Sequence, residues 1–282
     1  MIHCKALGKD FQTKEEMFKE LKANKEEIIS LKKAQIQKSC EKGVSVVAKA
    51  IPIDKLQDID KALKLDDNFY YIAVNTTRVL DSHDDLHKDG IWDVTVKARQ
   101  GKNFLVEDHT LEMSKVVVKK QHVEMFTAMI PFSMVGKSFD GNTQALIYKV
   151  PKDKVISQTS KEWLESGDEI EASVRMQYVK IALAMDSNNP DDSEEKQEFD
   201  SNIGIIANKE EFDDIHFFWV VSEAKNVLES SLVVFGSNSA TGQLIDLDKE
   251  KGIAAQALRL KNEIAAQALQ ENRKQFFKQL IK

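Results

Sequence analysis

The chain has 282 residues, a formal net charge of −6, 42% apolar and 30% charged side chains. That length holds one large domain with extensions, or two small ones, and the apolar share is ample for a core. A net acidic balance excludes a general nucleic-acid surface, which needs concentrated Lys and Arg, and no run nears the roughly 18 uninterrupted apolar residues of a membrane span.

The start, Met1-Ile2-His3-Cys4-Lys5-Ala6, lacks the apolar core of a secretion signal. Two cysteines, Cys4 and Cys40, cannot make a disulfide framework, so a reducing cytoplasm is the expected setting. Residues 11 to 41 read as one helix, with Thr13 and Glu16 at capping-box spacing. Met17, Phe18, Leu21, Ile28, Leu31 and Ile36 give it a thin apolar stripe, as in a helix that packs lightly or waits for a partner.

From Val44 to about Asn238 the texture is β-rich. Strands are expected at Val44 to Ala50, Phe69 to Thr76, Trp92 to Ala98, Phe104 to Asp108, Val116 to Lys119 and Gln144 to Val150. Ser173 to Ala184, Ile215 to Val221 and Leu232 to Phe235 complete the set, with helical pieces at Asp54 to Leu65 and Lys161 to Glu165. Many short strands with glycine turns predict a barrel or sandwich. The acidic stretch from Asp186 to Asp214 interrupts the pattern and is expected to be a mobile surface loop. After Asn238 the chain reads as helix again: Ile253-Ala254-Ala255-Gln256-Ala257-Leu258 recurs eleven residues on, as Ile264-Ala265-Ala266-Gln267-Ala268-Leu269. Three parts result: a helical extension over 1–43, a β domain over 44–240 and an interaction helix over 241–282.

The chemistry centres on Val227-Leu228-Glu229-Ser230-Ser231-Leu232-Val233-Val234-Phe235, where a carboxylate enters an apolar, β-branched run. A strand of that kind buries its acid against a histidine from elsewhere, and His109, closing Phe104 to His109, is the candidate. Ser173 stands in Glu171-Ala172-Ser173-Val174-Arg175, where strand alternation puts Ser173, Arg175 and Gln177 on one face, lining a cleft or meeting solvent. His83 and His87 have a helical metal spacing, but their surroundings read as turn. His122 and His216 sit among apolar neighbours and read as packing residues, with His122 a reserve base and Glu223 a reserve acid. Ser231 reads as structural, and no phosphate loop or zinc-spaced cysteine pair occurs.

In the order His, Ser, Glu, these segments resemble the prohead serine proteases of tailed bacteriophages, which are related to herpesvirus assemblin. The similarity runs from about Tyr70 to Asn238 and includes Asp81-Ser82-His83-Asp84-Asp85, which looks like the family's Asp-Ser-x-x-Asp turn. Leu228-Glu229-x-Ser231-Leu232-Val233 looks like its closing strand. The resemblance implies Ser173 as nucleophile, His109 as general base and acid, and Glu229 as orienting carboxylate. It implies an α+β fold built on a mainly antiparallel, assemblin-like β-barrel with surrounding helices. No metal or organic cofactor is implied. Substrates would be the phage scaffold, extensions of the major capsid protein and the enzyme itself, inside the procapsid in the host cytoplasm. The Ile253 to Leu269 face would dock on a scaffold or portal helix, or else cover the barrel's own surface; a homo-oligomer is a further expectation, and nucleic acid and membrane are not expected partners. One departure stands out: Arg175 and Met176 follow the serine where the family often has a small residue, which leaves backbone amides beside Ser173 or Arg175 as oxyanion donors. The alternative reading is an inactive homologue serving as scaffold or minor capsid component.

Overall fold

The computed structural model describes residues 1–36 and 63–252. The strand expected at 44–50, most of the helix expected at 54–65, Cys40 and the Ile253 to Leu269 repeat lie outside the described residues. The architecture is mixed α+β.

The chain opens with a hairpin of β1 (Ile2–Cys4) and β2 (Lys9–Phe11). Where one helix was expected, two follow: α1 (Lys14–Ala23) and α2 (Lys25–Ala34). The Thr13 hydroxyl caps α1 by accepting from the Glu16 amide, as its spacing predicts. The break falls at Asn24, whose side chain turns back to the Glu20 carbonyl and which ends one helix and begins the next. That bend lets Met17, Phe18, Leu21 and Ile28 wrap onto Leu183, Met185, Phe217 and Trp219, so the thin stripe has its partner within the chain.

Two larger sheets enclose the main core. One is antiparallel: β3 (Phe69–Thr76), β7 (Glu124–Pro131) and β8 (Asn142–Pro151), with β11 (Gly242–Gln243) at its edge, in the order β11-β3-β8-β7. The other is built on β10 (Phe217–Val233), which pairs antiparallel with β9 (Glu171–Met185) over most of its length. Along its other edge β10 pairs in parallel, first with β4 (Asp85–His87), then with β5 (Phe104–Glu107), and β6 (Val116–Val118) pairs antiparallel with β5. Tyr70, Ile72, Leu146 and Tyr148 from the first sheet meet Val174, Met176, Tyr178 and Leu232 from the second. Among the described residues no sheet closes on itself, so the expected barrel is not formed by strand pairing.

Three expectations are corrected. Trp92 to Ala98 is not a strand: α3 (Asp93–Arg99) occupies it. Its alternating valines imitate a strand, but Val94 is exposed, whereas the helix turns Thr95 onto the Ala224 carbonyl. The strands expected at 215–221 and 232–235 are one strand, because β10 continues through the polar residues between them. The acidic stretch is an ordered insertion carrying α5 (Ser193–Asn202). Phe199 and Ile206 bury against Leu80, Ala184, Phe218 and Val220, each stabilising the insertion by about 2 kcal/mol. Lys22 and Lys25 neutralise its buried Asp192 and Glu195. The helix expected near Lys161 to Glu165 is present as α4 (Gln158–Ser166).

Candidate active site

The odd-numbered residues of β9 share one sheet face. At one end Leu183 and Met185 lie under the N-terminal hairpin, and at the other stand Glu171, Ser173 and Arg175. Between them the Gln177 side chain donates to the Lys33 carbonyl in the last turn of α2, 3.1 Å away. Ser173 pairs across the ladder with Ser231 of β10 and is only 6% exposed.

His109 stands just beyond β5, on the other side of β10. Asp108 and His109 both take left-handed backbone, with φ of 47° and 54°. Such geometry costs a non-glycine residue roughly 1–2 kcal/mol and is kept only where the surroundings fix it. They do so here: the Asp108 amide donates to the Leu232 carbonyl at 3.0 Å, and the His109 amide to the Ser231 hydroxyl at 2.8 Å. The Ser231 hydroxyl itself donates to the Val106 carbonyl at 3.1 Å. The imidazole thereby lies against Glu229, its Nδ1 2.9 Å from Oε1 and 3.2 Å from Oε2. Glu229 is completely buried and His109 is 7% exposed.

A bulge delivers Glu229. Asn226 pairs with Met176 and Ser230 with Val174, so β10 spends four residues where β9 spends two. Leu228 absorbs the excess at φ 69° and stays exposed. The bulge leaves Arg175 facing Glu229, with Nη1 4.0 Å from Oε1. The Arg175 side chain is 17% exposed, and its Nε is buried without a hydrogen-bond partner. Asn226, at the root of the bulge, donates to the Tyr148 hydroxyl at 2.6 Å, and burial pushes that phenol up to about 12.

His109 and Glu229 are in direct contact, and Ser173 lies on the neighbouring strand opposite Ser231, the residue that anchors the His109 amide. The reserve residues are elsewhere: Glu223 pairs with Lys180 at 2.6 Å, and His122 is half-buried in the turn before β7. His216 is half-buried beside Asp214, its Nδ1 3.2 Å from Oδ2. His87 is a strand residue, not part of a turn, and its ring is engaged by Asn75 and Tyr178. Among the described residues no group of three or more His, Cys, Asp or Glu could hold a metal ion.

Two participants escaped the sequence. Ser231 was read as structural, and it is, but the sequence did not show that its buried hydroxyl anchors the His109 amide. Arg175 was seen as a departure and not as a neighbour of the acid; its place on Ser173's face was the available signal. No protein-family model, curated protein or solved structure matches the chain.

Proposed function

We propose that this protein is a serine endopeptidase of the prohead maturation type, with Ser173 as nucleophile, His109 as general base and acid, and Glu229 as the orienting acid. The observation that carries the reading is the buried His109–Glu229 contact, held on the sheet face that also bears Ser173. Two ladder spacings separate β5 from β9 by roughly 10 Å, a gap that an imidazole and a hydroxymethyl leaning inward can close.

With Nδ1–H donated to Glu229, the imidazole uses Nε2 as its basic atom. The Ser173 hydroxyl attacks a peptide carbonyl carbon while His109 takes its proton. Collapse of the tetrahedral adduct breaks the C–N bond, and His109 gives that proton to the departing amine. Water then attacks the Ser173 ester, again losing a proton to His109, and the acid product leaves as Ser173 recovers its hydrogen. These steps run through the three side chains without a cofactor. The substrates would be scaffold, capsid-protein extensions and the enzyme itself, in the procapsid. Kinship with the assemblin barrel belongs to the same proposal and draws on the site face, not on a closed ring of strands.

The second reading, an inactive homologue acting as scaffold or minor capsid protein, draws on the near-complete burial of Ser173. Fluorophosphonate labelling and self-processing of the wild type and Ser173→Ala, each in assembled and unassembled form, separate the two. Labelling confined to the wild type is expected. Unlabelled, unprocessed wild type in both forms overturns the protease reading.

A further inference from the structure

A buried carboxylate facing an imidazole can be stabilised in two ways. The imidazole can take a proton and become the counter-ion, or a separate cation can neutralise the acid and leave the ring neutral. A base that must accept a proton from serine has to be neutral, because an imidazolium has nothing left to accept with. A neutral ring still donates its Nδ1–H to the acid, and a separate cation weakens the acid's pull toward the imidazolium.

We propose that Arg175 is a positioning residue that supplies this separate cation and so keeps His109 neutral beside Glu229; the inference rests on the protease reading above. A guanidinium stays protonated at every pH the protein meets. Arg175 Nη1 lies 4.0 Å from Glu229 Oε1, and among the described residues no other Lys or Arg comes as near to that carboxylate. Packing alone does not account for the arrangement. The Nε donor is left buried and unbonded, which is costly, while the far end of the guanidinium is held toward the acid.

The other charged and titratable groups around the pair are committed elsewhere or differ in character. Glu107 of β5 accepts from Lys115, Ser157 and Ser160. Asp108 and Lys225 are exposed. Glu171 of β9 accepts from the Gly236 amide. From the facing sheet, the Tyr148 phenol is raised by burial and remains neutral. Arg175 is the fixed charge in this group.

The experiment uses the full chain and compares the wild type with Arg175→Met, Arg175→Gln and Arg175→Lys. Peptide cleavage is measured against pH, and the His109 ring is titrated by NMR, its signal identified through His109→Gln. Removing the cation favours the imidazolium, so the acid limb of the rate profile and the ring titration should both move to higher pH. The expected shift is on the order of one unit in the Met and Gln variants. Well down the acid limb the rate should fall by about tenfold, and it should recover as pH rises, with KM little changed. The Lys variant should stay near the wild type. Loss of rate uniform across pH, an unmoved ring titration, or a Lys variant shifted as far as Met overturns the inference. If one neutral variant fails to fold, the other carries the test. Should the wild type prove inactive, the protease reading falls, and the NMR titration still decides the role of Arg175.

Discussion

Two histidines flank β10 along the same edge, each associated with a strand that pairs with it in parallel, and their surroundings could hardly differ more. His87 lies in β4, opposite Val221, with Nδ1 2.9 Å from the Asn75 amide nitrogen and Nε2 3.4 Å from the Tyr178 hydroxyl. Asn75 is in turn held by the Trp92 indole, and Tyr178 donates to Asp85 at 2.7 Å. Asp85 meets Lys32 of α2 at 2.6 Å. Burial pushes the His87 ring down to about 4 and the Asp85 carboxyl up to about 6. His109 lies past the end of β5 and faces a carboxylate directly. A ring clasped in a strand by neutral groups at both nitrogens is a structural part; one at a strand end against an acid is suited to moving a proton.

The largest effect that can break this contrast is on turnover. Glu229→Gln should lower cleavage by about 10⁴-fold through the wrong tautomer, with little change in the unfolding midpoint, whereas His87→Gln should leave the rate within a few-fold. Equal losses in the two would erase the distinction between the histidines.

Next comes stability. Lys32→Met leaves Asp85 buried without its counter-charge, at a cost of about 3 kcal/mol at pH 7.5. Because the Asp85 carboxyl is raised to about 6 in the folded chain, acidification neutralises it, and the penalty should shrink markedly at pH 5. Urea unfolding at the two pH values measures this, and a cost independent of pH would show that the loss does not come from an uncompensated charge on Asp85.

The smallest effect is a slope. The unfolded chain protonates a histidine near 6.5, while folded His87 waits until about 4, so His87 makes stability fall as pH drops through that window. Asp85 acts in the opposite sense: the folded chain takes its proton near 6 and the unfolded chain near 3.8, so stability falls as pH rises between them. In the wild type the two offset each other. His87→Gln should expose the Asp85 contribution, with stability declining by about 1 kcal/mol per pH unit from pH 4 to 6. A flat profile in that variant refutes the opposition.

The sequence singled out His109 and Glu229, which the fold brings into contact, and it was less clear about the fold. Alternation in residues 173–177 and the apolar run after Glu229 were local signals, and local signals survive into the structure. The failures are places where a distant partner decides. Val94 and Val96 alternate like a strand, yet Thr95 finds a carbonyl of β10 from a helix. The acidic insertion read as a mobile loop, because the sequence does not show that Lys22 of α1 and Lys25 of α2 neutralise its buried acids. β10 seemed two strands because the polar residues Glu223, Lys225 and Asn226 separate its apolar runs just before the bulge between Asn226 and Ser230. β7 went unseen because Met125, Met129 and Pro131 dilute its pattern.

The bond between Gln177 and the last turn of α2 sets a boundary. Gln177 lies four residues along β9 from Ser173, about 13 Å in an extended strand. On the proposed reading, a peptide laid along that face toward α2 would have room for only a few residues before meeting that helix. On that side the protein's own N-terminal helices would act as a ruler for the proposed protease, and longer substrates would approach from the Glu171 end.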